Sequence, residues 1–288
     1  MAGQPYPARL ARLTGTAGGD LVVERYGAAA DQVGELWPAG PGAPGPGGPG
    51  PGGPSRPGPH PVAVLVHGGY WRARWRLDLM HALAADLQRR GVAVWNLEYR
   101  RIGSAGGGWP GTFEDVAAGF DALHGLAGRY DLDLDRIAVV GHSAGGQLAL
   151  WLAGRARPRH GPGARPRLLP ALAVALAGVC DLVEAARRHL SQDAVVELLG
   201  GGPQERREAY RLGSPAALLP LGVPQVLVHG TADASVPFDI SERYAAAARA
   251  AGDTCELVAL DGVDHFALID PGSAAWQATV ERLARVLG

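Results

Sequence analysis

The feature that most constrains this sequence is an alternation between short apolar runs and longer helix-like stretches. The apolar runs, rich in Val, Leu and Ala, lie at 62–66, 92–97, 137–140, 172–176, 226–228 and 257–260. The helix-like stretches lie at 78–90, 112–126, 144–155, 240–251 and 274–287. Short unbroken apolar runs are typical of strands that are buried on both faces of a parallel sheet. The alternation therefore predicts an α/β fold, with a mostly parallel sheet and helices on both of its faces.

Two further short segments, 21–26 and 33–37, are expected to be antiparallel edge strands, which brings the predicted sheet to eight strands. From Pro38 to Pro59, 18 of 22 residues are Gly or Pro. Such a tract has few side chains to bury, so we expect a mobile surface loop there. Residues 181–219, called the insert below, interrupt the sheet pattern and contain a helix-like stretch at 185–199. The insert is interpreted either as a small lid over the pocket or as a purely structural excursion. The 288 residues are thus expected to form one α/β domain.

The charge balance argues against two classes of partner. The 27 basic residues are all Arg and face 28 acidic ones, giving a formal net charge of −1. Binders of nucleic acid or of anionic membranes normally carry a basic excess, so we expect neither partner. Two cysteines cannot form a disulfide framework, the N-terminus shows no signal-peptide pattern, and no apolar run approaches the roughly 18 residues of a membrane helix. We therefore expect a soluble cytoplasmic protein and leave a homodimer open.

Binding sites in parallel sheets lie beyond the carboxyl ends of the strands, and four predicted strands end in polar motifs. These motifs are His67-Gly68-Gly69-Tyr70-Trp71, Gly141-His142-Ser143-Ala144-Gly145-Gly146, His229-Gly230-Thr231-Ala232-Asp233 and Asp261-Gly262-Val263-Asp264-His265-Phe266. The second motif contains a Gly-x-Ser-x-Gly pattern between a predicted strand and a predicted helix, which is where a nucleophile elbow occurs. Ser143 is therefore the candidate nucleophile.

A serine hydroxyl needs a base to take its proton, and that base needs a carboxylate to orient it. Asp233 and His265 each follow a later strand, so the chain order is Ser, Asp, His, as expected of α/β-hydrolases. Three other acids close in sequence leave the identity of the orienting acid open: Asp239, Asp261 and Asp264.

The turn after the first of these strands can supply an oxyanion hole. Its backbone N–H groups, together with the N–H of Ala144 just after the nucleophile, can point at a developing oxyanion. We expect His67 to brace this turn by hydrogen bonding, and His142 and His229 to be packed or core groups. The histidines show no ligand spacing, so no metal is expected.

These four motifs resemble those of α/β-hydrolases of the esterase/lipase type. Within that superfamily the chain is similar to kynurenine formamidases (arylformamidases) and related small carboxylesterases, from about Pro61 to the C-terminus. Only the Tyr-Trp continuation of the first motif favours the formamidases. The resemblance implies that Ser143 is the nucleophile, His265 the base and Asp233 the orienting acid. It also implies an oxyanion region and no cofactor or metal; the residues of that region are Gly68, Gly69, Tyr70 and Ala144.

Three aromatic residues, Trp71, Trp109 and Phe266, lie near predicted strand ends. They are expected either to pack in the core or to line a pocket for an aromatic acyl or leaving group. We expect the protein to hydrolyse a small carboxylic ester or an aryl formamide through an acyl-enzyme on Ser143. The alternatives are a general or feruloyl-type carboxylesterase, and a non-catalytic ligand-binding protein of the same fold. The presence of all three triad candidates favours an enzyme.

Overall fold

The computed structural model describes residues 21–40 and 58–288, which form an eight-stranded sheet with helices around it. The strands are β1 (Val22–Arg25), β2 (Val33–Trp37), β3 (His60–Val66), β4 (Ala93–Leu97), β5 (Leu132–His142), β6 (Leu172–Leu176), β7 (Gln225–Gly230) and β8 (Cys255–Leu260). Their order in space is β1-β2-β4-β3-β5-β6-β7-β8. The pairs β1/β2 and β2/β4 are antiparallel, and the other neighbouring pairs are parallel. The predicted α/β architecture is confirmed.

Helices cover both faces of this sheet. The α-helices of the described residues are α1 (His81–Arg89), α2 (Gly111–Asp121), α3 (Leu123–Tyr130), α4 (Ala144–Gly154), α5 (Leu182–Arg187), α6 (Ala194–Leu199), α7 (Arg207–Gly213), α8 (Pro215–Leu218), α9 (Asp239–Ala250) and α10 (Ala274–Leu287). Side chains of α2, α4 and α9 belong to one apolar layer, and those of α1 and α10 belong to the other. The sheet is therefore enclosed between two cores, and the ends of its strands are the places open to a ligand.

Strand β3 shows why the apolar runs are unbroken. Val62, Val64 and Val66 point into one core layer, while Ala63 and Leu65 point into the other. Because successive side chains of a strand point to opposite faces, a strand covered on both faces has an apolar residue at every position.

The run at 257–260 behaves differently, and the prediction that it is buried on both faces is wrong. Leu257, Val258 and Leu260 are half-buried, and Ala259 is exposed. The reason is that β8 is the outermost strand, where the covering layers end.

Two stretches predicted as single helices are each divided in two. The stretch 112–126 breaks at Ala122, between α2 and α3. In the insert, the stretch predicted at 185–199 divides into α5 and α6. Between them, four residues take positive φ angles, a conformation that an α-helix cannot contain: His189 (54°), Ser191 (48°), Gln192 (57°) and Asp193 (61°).

Parts of the sequence interpretation fall outside the described residues. Most of the Gly/Pro tract lies at 41–57, which the structure does not describe, so its expected mobility stays a prediction. The insert at 181–219 contains helices α5 to α8. Within the described ranges, no helix combines the length and the apolar character needed to cross a bilayer.

Candidate active site

Ser143 occupies the sharp turn between β5 and α4. Its backbone angles are φ 57° and ψ −119°, a strained conformation for a residue with a side chain. A Cβ atom on Gly141 would lie 1.9 Å from the carbonyl oxygen of Gly145, and a Cβ on Gly145 would lie 2.0 Å from the carbonyl oxygen of Val66. Only glycine allows β3, β5 and α4 to approach so closely, and this approach holds Ser143 at the carboxyl ends of the central strands.

Asp233 contacts the ring of His265. The Nδ1 atom of His265 lies 2.6 Å from Oδ2 of Asp233, and the backbone amides of Ser235 and Val236 donate to Oδ1 at 2.7 and 2.8 Å. Because the carboxylate accepts at Nδ1, the proton of the neutral ring lies on Nδ1, and Nε2 is left as the acceptor.

The three alternative acids have other partners. Asp239 pairs with Arg188, Asp261 accepts from the Thr231 hydroxyl, and Asp264 accepts from the amides of Phe266 and Ala267. Of the acids considered from the sequence, Asp233 is the one that the structure brings against the His265 ring.

A second histidine also bonds to Asp233. The Nε2 atom of His229 lies 3.2 Å from Oδ2 of Asp233 and 3.0 Å from the carbonyl oxygen of Val236, while its Nδ1 lies 2.8 Å from the Ser241 hydroxyl. Burial is the largest influence on the pKa of Asp233 and opposes ionisation. The hydrogen bonds from His229, His265 and the backbone outweigh it, so the pKa lies well below its ordinary value of 3.8. Asp233 is therefore a firmly ionised carboxylate.

The turn at 67–71, hereafter the 67–71 turn, packs directly on the elbow. A Cβ atom on Gly68 would lie 3.0 Å from the Cβ of Ser143, and Gly69 takes a φ of 108°. Among the described residues, the backbone amides of Gly68, Gly69, Tyr70 and Ala144 have no hydrogen-bond acceptor. Ala144 begins α4, and an amide at the start of a helix has no hydrogen-bond acceptor within that helix. Such an amide is available to a ligand.

Buried charges support this turn from behind. The ring of His67 bonds through Nδ1 to the Gly68 carbonyl oxygen at 2.8 Å and through Nε2 to Glu98 Oε1 at 2.9 Å. Arg101 also contacts Glu98 at 2.7 Å, and the Tyr99 hydroxyl donates to the His67 carbonyl at 2.8 Å. Burial would raise the pKa of Glu98, but His67 and Arg101 outweigh it and hold that pKa below its ordinary value. The bracing expected of His67 is present in the structure.

A cavity of about 310 Å³ opens beside the elbow. Its wall is formed by Gly69, Tyr70, Arg74, Trp75, Leu79, His142, Ser143, Ser191, Ser235, His265 and Phe266. Ser143 and His265 therefore share one cavity, whose wall also includes Gly69, Tyr70 and Phe266. Ser191 brings part of the insert to the same wall, while the lid role of the insert stays a prediction.

Two of the three aromatic residues considered for the pocket do not line this cavity. Trp71 is fully buried in the core, and its Nε1 donates to Gln147 at 3.0 Å, so the prediction that it lines the pocket is wrong. Trp109 packs edge-on against Phe113, with ring centroids 5.0 Å apart. Phe266 lies on the cavity wall, as expected.

His142 connects the elbow to the loop of His265. Its Nε2 donates to the backbone carbonyl of His265 at 3.0 Å, and the two ring centroids are 4.4 Å apart. Burial, reinforced by the charge of His265, lowers the pKa of His142 well below its ordinary value of 6.5. His142 is thus a neutral, packed group that joins two loops, in agreement with the sequence interpretation.

The sequence interpretation missed several residues of this site. Glu98 and Tyr99 directly follow β4, so the rule that sites lie at strand ends could have found them. Arg74, Trp75 and Ser191 lie in irregular segments, for which no periodic signal exists. Within residues 21–40 and 58–288, no group of three or more His, Cys, Asp or Glu side chains could hold a metal ion.

The eight-stranded sheet, the elbow and the strand-end residues together define an α/β-hydrolase. Residues 53–247 match the family described as BD-FAE, and the chain belongs to that family. It is also similar to an isoprenylcysteine alpha-carbonyl methylesterase of Arabidopsis thaliana, with 27% identity over 71% of this chain and 50% of the relative. The chain thus spans about half the length of that relative.

Solved structures share the fold at low sequence identity. Esterase B from Lactobacillus Rhamnosis superposes with a TM-score of 0.77 and 18% identity, over 97% of this chain and 90% of that one. A bacterial heroin esterase superposes with a TM-score of 0.73 and 22% identity, over 98% of this chain and 90% of that one. At these identities the likeness establishes the fold.

Proposed function

We propose that this protein is a serine carboxylesterase that cleaves small carboxylic esters through an acyl-enzyme on Ser143. The observation that carries this proposal is the placement of Ser143, on its strained elbow, in the same cavity as the His265 ring that Asp233 orients. A base beside a nucleophile, itself held by a carboxylate, is the arrangement that activates a serine hydroxyl.

In the first half of the reaction, Nε2 of His265 takes the hydroxyl proton as Oγ of Ser143 attacks the ester carbonyl carbon. The amides of Gly69, Tyr70 and Ala144 stabilise the oxyanion that forms, because they need no reorganisation to donate to it. When the tetrahedral intermediate collapses, the alcohol leaves with the proton from His265.

In the second half, His265 takes a proton from water, and the resulting hydroxide attacks the acyl carbonyl. Collapse releases the carboxylic acid and returns the proton to Ser143. Asp233 stays ionised throughout, since its lowered pKa keeps it as a carboxylate that holds the His265 ring and stabilises the imidazolium form.

The size of the cavity limits the substrate. About 310 Å³ is at the lower end of the range for small-molecule sites. Its walls include the aromatic rings of Tyr70, Trp75 and Phe266, which suit an apolar or aromatic acyl or alcohol group. The names of the relatives, a methylesterase and two esterases, support ester cleavage. Cleavage of an aryl formamide stays a prediction from the sequence resemblance.

The test is hydrolysis of 4-nitrophenyl butyrate beside N-formyl-L-kynurenine, with Ser143→Ala as the blank. We expect a serine-dependent burst of 4-nitrophenol and a loss of about 10⁵-fold or more in kcat for Ser143→Ala. The matched control is Ser104→Ala, because Ser104 lies outside the cavity and bonds to Asp31. Cleavage of the ester alone removes the formamidase prediction. If the folded wild type hydrolyses neither substrate, the proposal is wrong and the ligand-binding alternative is favoured.

A further inference from the structure

Three arginines occur at alternate positions just after the 67–71 turn, and one of them differs from the others. Arg72 Nε lies 3.1 Å from Glu197, and Arg76 Nε lies 3.6 Å from Glu98. Arg74 has neither an ion pair nor a hydrogen bond in the part of the chain that the structure describes; its guanidinium lies 5.5 Å from the ring centroid of Trp75. Arg74 is therefore a cation whose charge no carboxylate of these residues neutralises.

This unpaired cation lies on the wall of the cavity that contains Ser143. Among the described residues of that wall, Arg74 is the one with a permanent charge, and none is acidic. The side chain of Asp233 is fully buried and already accepts from two histidines and two amides. The wall therefore carries one positive charge and no negative one, while the ionised Asp233 lies behind the ring of His265.

We propose that Arg74 determines substrate specificity by binding a carboxylate on the ester, so that the preferred substrates are esters that also carry a free carboxylate. This inference rests on the proposed esterase function and adds the class of substrate. One guanidinium presents parallel N–H donors that match the two oxygens of one carboxylate. A dianionic phosphate carries a second negative charge that a single guanidinium does not neutralise.

The surroundings of Arg74 favour such a contact. Arg74 is a solvent-exposed residue of the cavity wall, and its guanidinium lies 5.5 Å from the ring centroid of Trp75. Because no neighbouring carboxylate competes for it, a substrate anion replaces water and not an existing ion pair. Attraction by the Arg74 cation also speeds the association of an anionic ligand, and added salt weakens this effect.

The experiment compares two matched pairs of substrates. In the first pair the charge is on the acyl part: 4-nitrophenyl hemiglutarate beside 4-nitrophenyl pentanoate. In the second pair it is on the leaving group: 4-acetoxybenzoate beside 4-methylphenyl acetate. For each substrate, kcat/KM is measured for the wild type, Arg74→Gln and Arg74→Lys, so that differences in intrinsic reactivity cancel in the ratio of wild type to variant.

We expect Arg74→Gln to lower kcat/KM about tenfold for at least one anionic substrate and to change it less than twofold for the neutral partners. Arg74→Lys should retain part of the preference. Raising the salt concentration from 50 to 500 mM should reduce the preference in the wild type but not in Arg74→Gln. The matched control is Arg159→Gln, which removes the same charge from an exposed position outside the cavity wall.

The outcomes separate the two proposals. If the neutral esters are cleaved in a Ser143-dependent way, but Arg74→Gln changes all four substrates by the same factor or none of them, the inference on Arg74 is wrong and the esterase function stands. If Arg159→Gln has the same effect as Arg74→Gln, the effect comes from overall charge and the inference is again wrong. If the wild type cleaves none of the four, both proposals fail.

Discussion

His67 and Glu98 are in contact through a 2.9 Å bond between Nε2 and Oε1, and both side chains are fully buried. His67 begins the 67–71 turn, and its other ring nitrogen, Nδ1, donates to the carbonyl oxygen of Gly68 in the same turn. Glu98 follows β4 and His67 follows β3, which are neighbours in the sheet. Two adjacent strand ends therefore hold the turn that lies against Ser143.

Replacing Glu98 by Gln tests this support. The change keeps the shape but removes the negative charge, which leaves the buried Arg101 with less compensation, so we expect the free energy of unfolding to fall by about 3 kcal/mol. Displacement of the turn should also lower kcat more than it changes KM. Urea denaturation and ester hydrolysis measure the two effects. The control is Glu208→Gln, at a solvent-exposed carboxylate, which should leave the unfolding midpoint unchanged. A Glu98→Gln variant that is as stable and as active as the wild type would contradict the interpretation.

Asp233→Asn should lower kcat by about 10⁴-fold while the protein stays folded. An amide cannot stabilise the imidazolium form of His265, and its NH₂ group favours the wrong ring tautomer. The comparison is Asp261→Asn, whose carboxylate accepts from the Thr231 hydroxyl and does not orient a ring. Steady-state rates on 4-nitrophenyl butyrate decide the question: a larger loss in Asp261→Asn than in Asp233→Asn would mean that the acid has been wrongly assigned.

Two glycine-to-alanine substitutions should have opposite effects on stability. In Gly145→Ala the new Cβ would meet the Val66 carbonyl oxygen at 2.0 Å, so β3 and α4 would have to separate, and we expect little folded protein. In Gly125→Ala, within α3, no atom lies within 4 Å of the new Cβ, and the substitution should stabilise the helix by about 0.5–1 kcal/mol. Thermal unfolding and soluble yield measure both. Equal behaviour of the two variants would refute the packing argument.

The lowered pKa values of Asp233 and Glu98 predict how stability depends on pH. In the unfolded chain these carboxyls titrate near 3.8 and 4.5, and in the folded protein they titrate lower. As the pH falls, protons therefore bind the unfolded state first. The two carboxylates contribute fully to the free energy of unfolding above their unfolded pKa values, and this contribution is lost as the pH drops through their folded pKa values. Each carboxyl can add a slope of up to about 1.4 kcal/mol per pH unit in this window.

Urea unfolding at a series of pH values between 2.5 and 6 measures this slope. Asp233→Asn and Glu98→Gln should each show a shallower acid dependence than the wild type, because each lacks one of the linked protons. An unchanged slope in either variant would show that the corresponding carboxyl does not titrate differently in the two states.

The strands and the elbow were predictable because their signals are local. The two glycines of the Gly-x-Ser-x-Gly pattern are what allow β3, β5 and α4 to approach closely. The unbroken apolar run of β3 reflects the burial of that strand on both faces. The positions of Asp233 and His265 followed from the rule that sites lie at strand ends. The same rule could not decide which of the four neighbouring acids orients His265, because that depends on which carboxylate faces the His265 ring.

What the sequence could not predict depends on contacts between distant segments. The pairing of His67 with Glu98, and the second hydrogen bond of Asp233 from His229, are set by the packing of whole elements. Trp71 was misassigned for the same reason: its neighbours in sequence line the cavity, but its own ring enters the core and bonds to Gln147. The break between α5 and α6 lies in a segment whose apolar spacing still resembles one helix.

Gln147 joins three parts of the molecule that the sequence keeps far apart. From α4, one turn beyond Ala144, its Oε1 accepts from Trp71, and its Nε2 donates to the carbonyl of Gly213 in the insert at 2.8 Å. One side chain therefore joins the insert to the helix that begins just after Ser143. On the proposed function, we expect substitutions in α7 to alter turnover through this contact, and compensating changes are to be sought at Gln147.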